Sequence, residues 1–175
     1  MTNSSIPLLA FSAYSGSGKT TLLEKVVPEL RKLGLRIAMI KHTHHKVDLD
    51  QPGKDSYRMR EAGANPVMIA SKKRWALLFE NDNDNEQDEP NLGELVTQLN
   101  PAMFDLILVE GFKHESIPKI EIIRRGVEKP PLYPKDSTFI AIASDLFEIE
   151  TELPVLNLNN PSAIADFISD WMKSQ

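Results

Sequence analysis

The stretch that decides the fold reads Ala-Tyr-Ser-Gly-Ser-Gly-Lys-Thr and runs from Ala13 to Thr20. It follows a short apolar run, Leu8 to Ala13, and opens a segment with apolar residues at helical spacing, Lys19 to Leu33. A glycine-rich turn between a strand and a helix is typical of a P-loop, because backbone N–H groups and the positive end of the helix together surround a phosphate. The stretch therefore predicts a nucleotide-phosphate site, although Ala13 stands where the usual motif has its first glycine.

The motif assigns a role to each of its residues. Close contact with the phosphates is expected from the loop residues Ser15, Gly16, Ser17 and Gly18. Lys19 is expected to reach the β- and γ-phosphates, and Thr20 to offer its hydroxyl to Mg²⁺. Thr21 is a candidate for the α-phosphate.

A second apolar run, Leu106 to Val109, ends in Glu110 and Gly111. In P-loop folds a neighbouring strand ends in an acidic residue that faces Mg²⁺ and the attacking water, so Glu110 is the candidate catalytic and metal-binding carboxylate. Gly111 either directs its N–H toward the γ-phosphate or forms a simple turn. Asp105 begins the same strand about 16 Å away and is expected to be structural.

Histidines and aspartates cluster after the second predicted strand. Three of the four histidines lie between Lys41 and His45, Asp48 and Asp50 follow, and His114 comes after Glu110. Such a loop can bind a transition metal, or Asp48 or Asp50 can hold Mg²⁺ through water as a switch-like loop does. A solvated polar loop explains the same residues, so the alternatives stay open.

Recognition of the base is not shown by a motif, because the N-K-x-D signature of many GTPases does not occur. Asp145 directly follows the strand predicted at Phe139 to Ala143, and its carboxylate can accept hydrogen bonds from guanine. A turn or helix-capping aspartate explains this position equally well.

Along the chain, short apolar runs alternate with helical patterns, which predicts an α/β fold of the P-loop NTPase type with a mostly parallel sheet and helices on both faces. Pro66 to Ala70 and Trp75 to Phe79 are predicted to form an added hairpin at a sheet edge. We expect one nucleotide-binding domain, residues 1–175, with a mobile surface loop at 81–91.

Composition excludes several classes of protein. The net charge of −5 argues against a nucleic-acid partner, and the lack of cysteine excludes disulfides and thiolate metal sites. The apolar runs are shorter than the roughly 20 residues of a membrane span, and the N-terminus lacks the pattern of a signal peptide. A cytoplasmic protein without nucleic-acid or membrane partners is expected.

Several segments together resemble the MobB family, the adapter proteins of molybdopterin-guanine dinucleotide biosynthesis. They are Ser15 to Thr21, Lys41 to His45, Asp48 to Ser56, Arg60 to Ala64, Arg74 to Ala76 and Leu106 to His114. The resemblance implies a homodimer that binds GTP and Mg²⁺, has feeble GTPase activity and acts beside the guanylyltransferase MobA, with molybdopterin as a candidate ligand. A metallochaperone-type GTPase and a small-molecule P-loop kinase are the alternatives.

Overall fold

The computed structural model describes residues 6–43, 47, 49–81, 89–146 and 148–175. The chain divides into two compact units, one formed by Met1–His42 with Pro90–Gln175 and the other by Thr43–Glu89. The expectation of one domain over 1–175 stays a prediction. In chain order the elements are β1 Leu8–Ser12, α1 Lys19–Lys32, β2 Ile37–Lys41, α2 Asp55–Glu61, β3 Val67–Ala70, β4 Trp75–Leu78, α3 Leu92–Thr97, β5 Leu106–Glu110, β6 Lys119–Ile123, β7 Phe139–Ser144, β8 Val155–Asn157 and α4 Pro161–Lys173.

The first unit is built on one six-stranded sheet with the order β2-β5-β1-β6-β7-β8, in which every neighbouring pair is parallel. All six strands therefore end at the same edge of the sheet. β1 lies between β5 and β6, and its Phe11 is in register with Glu110. This register places the acidic end of β5 beside the strand that leads into the glycine-rich loop.

Both faces of the sheet are covered by helices, as the sequence predicts. Leu9 and Phe11 of β1 pack in one cluster with apolar side chains of α1 and α4, while Leu8 and Ala10 pack in the other with α3. Successive side chains of a strand point to opposite faces, so β1 and β5, which are apolar up to their last residues Ser12 and Glu110, are buried on both sides. The predicted P-loop NTPase type of α/β fold is confirmed.

The second unit contains α2 and the antiparallel hairpin of β3 and β4, with Val67 opposite Leu78 and Ala70 opposite Trp75. The hairpin forms a two-stranded sheet of its own and does not pair with the edge of the main sheet. Several large apolar side chains of this unit are exposed, among them Trp75. No helix in the part of the chain that the structure describes is long and apolar enough to cross a membrane.

Glu121 of β6 is a carboxylate inside the core, only 2% exposed. Both of its oxygens accept backbone hydrogen bonds, from the N–H groups of Leu132 and Tyr133, at 2.8 Å each. Burial raises the pKa of Glu121, and the two N–H donors oppose that shift. The connection between β6 and β7 is thereby fixed to the sheet.

Replacing Glu121 with glutamine (Glu121→Gln) is expected to lower the free energy of unfolding by about 1–3 kcal/mol, because the amide NH₂ would face a backbone N–H and leave it unsatisfied. Urea unfolding measures the loss. Asp170→Asn is the control, since the ion pair of Asp170 with Lys173 is exposed and should contribute less than about 1 kcal/mol. Equal small losses for both variants would contradict the role given to Glu121.

Candidate functional site

The glycine-rich loop has the backbone that the motif requires. Gly16 and Gly18 have φ values of 82° and 79°, and the Ser17 N–H donates to the Tyr14 carbonyl at 3.2 Å. Gly18 is the N-cap of α1, and no acidic residue occupies the first turn of that helix. The N–H groups at the start of α1 therefore form an anion-binding end of a 14-residue helix.

Ala13 does not disturb this loop. A glycine is needed only where φ is positive, and no described residue other than glycine has a positive φ. Ala13 is also buried in the core at the end of β1. Its methyl group contributes apolar packing at a position where glycine would contribute none.

Two lysines converge on the carboxylate of Glu110. The Nζ atoms of Lys19 and Lys41 lie 3.6 and 3.5 Å from Oε1 of Glu110. Glu110 is buried, and its other oxygen, Oε2, has no hydrogen-bond partner among the described residues. A buried carboxylate is costly unless it is paired, so the two ammonium groups compensate its charge and leave one oxygen for a further ligand.

The donor set fits Mg²⁺. This ion is bound in nucleotide sites by one or two protein oxygens, with phosphate oxygens and water completing six positions. The unpartnered Oε2 of Glu110 and the exposed hydroxyl of Thr20 are oxygens of this kind. Both oxygens come from residues that the sequence predicts for the ion, the other two candidates being Asp48 and Asp50.

Gly111 forms a close contact between the ends of β5 and β2. Its φ is 101°, and a Cβ atom there would lie 2.9 Å from both the Cβ and the carbonyl oxygen of His42. The His42 N–H donates to the Glu110 carbonyl at 2.8 Å, and the rings of His42 and Phe112 lie 5.2 Å apart. Only glycine fits this contact, which holds the end of β2 beside Glu110.

A cleft beside the loop is lined by Lys19, Gly111, Lys113 and Lys119, together with the end of β1. Lys119 was missed from the sequence because it starts an apolar strand. Lys119 is buried and donates to Asp136 at 2.7 Å. Burial raises the pKa of Asp136, but hydrogen bonds from Lys119 and Thr138 outweigh that effect and lower it to about 2.

Asp145 lies at the end of β7 and is engaged within the protein. Its Oδ1 accepts from the Arg125 N–H at 2.7 Å, and its Oδ2 lies 3.8 Å from Nε of Arg124. The turn role that the sequence allowed for Asp145 is therefore present, and its role toward guanine stays a prediction. Arg124 was missed, although Arg124-Arg125-Gly126 directly follows a strand at the ligand-binding edge.

The remaining predicted residues either lie outside the described residues or belong to the second unit. Asp48, His44 and His45 lie outside the described residues. Asp50 belongs to the second unit, where its Oδ1 accepts from the Gln51 N–H and the Ser56 hydroxyl at 2.9 Å each. Within the described ranges no group of three or more histidine, aspartate or glutamate side chains is arranged to hold a metal ion.

Asp105, by contrast, lies where the sequence places it, at the start of β5. It accepts hydrogen bonds from the backbone and guanidinium of Arg36, at distances of 2.7–2.9 Å. These bonds lower the pKa of Asp105 to about 2. Asp105 thus joins the amino-terminal ends of β2 and β5, away from the edge that carries the glycine-rich loop.

Comparison with known proteins identifies relatives of the whole chain. The family described as "MobB: Molybdopterin guanine dinucleotide synthesis protein B" matches residues 8–145. The molybdopterin-guanine dinucleotide biosynthesis adapter protein of Escherichia coli K12 is 47% identical over 171 residues, covering 97% of this chain and 95% of the relative. That of Haemophilus influenzae is 44% identical, covering 97% and 92%. A crystal structure of Bacillus subtilis MobB shares the fold with a TM-score of 0.74 and 24% identity, over 97% of this chain and all of the other.

Substituting alanine at Gly111 (Gly111→Ala) is expected to cost more stability than the same change at Gly126. Both glycines have a positive φ, so each variant loses about 1–2 kcal/mol of unfolding free energy from backbone strain. Gly126 has nothing within 4 Å of an added Cβ, whereas Gly111 meets the backbone of His42, which adds about 1–3 kcal/mol. Chemical unfolding of the two variants compares them directly, and equal losses would show that the contact with His42 relaxes freely.

Proposed function

This chain belongs to the MobB family, and we propose that it is a GTP-binding adapter protein in the biosynthesis of molybdopterin guanine dinucleotide. The observation that supports nucleotide binding is the glycine-rich loop at the start of α1, with Lys19 and Glu110 beside it at one edge of a parallel sheet. The pathway is supported by the relatives from E. coli and H. influenzae, which carry that role in their names.

In this proposal the triphosphate lies on the N–H groups from Ser15 to Thr21. Lys19 lies 3.6 Å from Glu110, which is an ion pair without the short contact of a strong hydrogen bond. Its ammonium group can therefore move to the β- and γ-phosphates at a small cost. Lys41 stays near Glu110 and compensates the charge that Lys19 leaves.

Mg²⁺ would be held by Thr20 and Glu110, and when bound it would neutralise charge on the phosphate oxygens. Glu110 is the candidate to orient a water for hydrolysis. Its Oε1 is already beside two lysines, so Oε2 remains for either the ion or the water. Because the same oxygen would have to bind the ion and orient the water, we propose that the GTPase activity is feeble.

The base, the protein partner and the further ligand are proposed from family membership. We propose guanine as the base, with Asp145 as the candidate acceptor, and a MobA-like guanylyltransferase as the protein partner. Molybdopterin is a candidate ligand, and the cytoplasm, where GTP is available, is the proposed location. A homodimer is supported by exposed apolar side chains of the second unit, since such surfaces mark protein contacts; they include Met68, Trp75 and Phe79.

Replacing Lys19 with alanine (Lys19→Ala) is expected to lower GTP affinity by at least about 100-fold, because the variant loses a charged contact to the β- and γ-phosphates. Titration calorimetry in the presence of Mg²⁺ measures the change. Lys32→Ala is the control, since Lys32 is an exposed lysine at the opposite end of α1. Unchanged GTP affinity in a folded Lys19→Ala protein would contradict nucleotide binding at this loop.

Replacing Glu110 with glutamine (Glu110→Gln) tests the Mg²⁺ assignment separately. Affinity for GTP in EDTA should not fall, because the change frees Lys19 and Lys41 from an opposing charge. The gain in affinity on adding Mg²⁺ should shrink by about tenfold or more, since an interaction with a charged group contributes about 1.5–3 kcal/mol. An identical Mg²⁺ gain in the wild type and the variant would exclude Glu110 from binding the ion.

A further inference from the structure

A second cleft borders the glycine-rich loop on the side away from Glu110. Its walls come from three places in the first unit, namely the start of α1, the residue after β6 and the turn after β8. The lining residues are Gly18, Thr21, Leu22, Lys25, Arg124, Leu158 and Asn159. Because Gly18 and Thr21 belong to the loop and the first turn of α1, this cleft opens directly onto the phosphate site.

Arg124 forms one wall and lies against the loop itself. A Cβ atom on Gly18 would be 2.5 Å from one of its terminal nitrogens, so the guanidinium covers this glycine. Asp145 lies on its other side, with Oδ2 3.8 Å from Nε, and the Arg124 side chain is still 43% exposed. An arginine held in this way presents a flat, cationic surface on which an aromatic ring can stack.

Asn159 forms the opposite wall. The turn that carries it is fixed by two backbone donors, Leu158 N–H to the Ser144 carbonyl at 2.8 Å and Asn159 N–H to Oδ1 of Asn157 at 2.9 Å. The side-chain amide of Asn159 makes no hydrogen bond to other described residues. It therefore offers one acceptor and two donor hydrogens to a ligand.

The two sides of the loop differ in the groups they offer to a ligand. Toward β5 lie Lys19 and Lys113, whose ammonium groups suit the anionic end of a nucleotide. Toward β6 and β8 lie the planar guanidinium of Arg124, the apolar side chain of Leu158 and the neutral amide of Asn159, and Lys25 of α1 also borders this side. Thr21, the candidate for the α-phosphate, borders the second cleft, so the part of the ligand beyond the α-phosphate is directed into it.

We propose that this cleft is the subsite for the nucleoside half of the nucleotide. The Arg124 guanidinium stacks on the purine ring, Asn159 bonds to polar groups of the nucleoside, and Asp145 positions Arg124. The assignment rests on the proposed function, because it requires that the loop hold the phosphates. It adds Arg124 and Asn159 to the binding residues predicted from the motif.

Inorganic tripolyphosphate separates the two halves of the site, since it has the phosphates without a nucleoside. Replacing Arg124 with alanine (Arg124→Ala) should weaken GTP binding by about tenfold, as stacking on a base contributes about 1–3 kcal/mol. Affinity for tripolyphosphate should stay within about twofold of that of the control Arg125→Ala, which removes the same charge from a side chain outside the cleft. Competition titrations of both ligands provide the comparison, and thermal unfolding confirms that each variant folds.

Two further variants support the interpretation. Arg124→Lys keeps the charge but loses the planar group, so it should lose most of the GTP affinity that Arg124→Ala loses. Asn159→Ala should lower the affinity for GTP and leave the affinity for tripolyphosphate unchanged. An equal loss of affinity for both ligands in Arg124→Ala would identify Arg124 as a phosphate contact and overturn the subsite. Unchanged affinity for both ligands would also overturn it.

Lys19→Ala distinguishes failure of this subsite from failure of the proposed function. If the loop binds phosphates, this variant loses affinity for both GTP and tripolyphosphate. If Lys19→Ala loses affinity for both ligands and Arg124→Ala shows no selective loss of GTP affinity, the subsite alone is rejected and nucleotide binding at the loop stands. Unchanged binding of both ligands in Lys19→Ala would reject the two proposals together.

Discussion

One buried carboxylate oxygen of Glu110 lies 3.6 and 3.5 Å from the ammonium groups of Lys19 and Lys41, and the candidate site depends on this arrangement. A carboxylate in the core is tolerated only with compensating charge, so its cationic partners must lie close to it. The parallel registers of β1, β5 and β2 bring them close, because Glu110 is opposite Phe11 on one side and Lys41 on the other. Two cations and one anion leave an excess positive charge, to which the amino-terminal end of α1 adds.

The position of β1 inside the sheet gives the loop two unlike neighbours. On one side β5 brings a carboxylate with an unpartnered oxygen, and on the other β6 brings Arg124. A nucleotide has the same asymmetry, with charge at one end and an aromatic ring at the other. In the proposed function the strand order would therefore give the ligand a direction as well as a place.

The parts that sequence could predict are those governed by local chemistry. The glycine-rich turn, the helix after it and the acidic strand end at Glu110 need only short-range patterns, and the structure has each of them. Arg124 could not be found in this way, because its contact with Gly18 exists only when β6 lies beside β1. Lys119 and Glu121 were missed for a related reason, since a charged residue in a buried strand is explained only by partners on a distant loop.

The two glycines that allow close approach have different kinds of neighbouring atoms, so the two contacts should respond differently to a bound ligand. At Gly18 the neighbouring atom is the end of a flexible arginine, whereas at Gly111 it is the backbone of His42. The first contact can open by rotation of a side chain; the second can open only if two strand ends separate. The sheet thus holds the side of the site toward β5 in place, whereas the side toward β6 can adjust. In the proposed function the phosphates would bind to a preformed site, and the nucleoside would bind where a side chain can move.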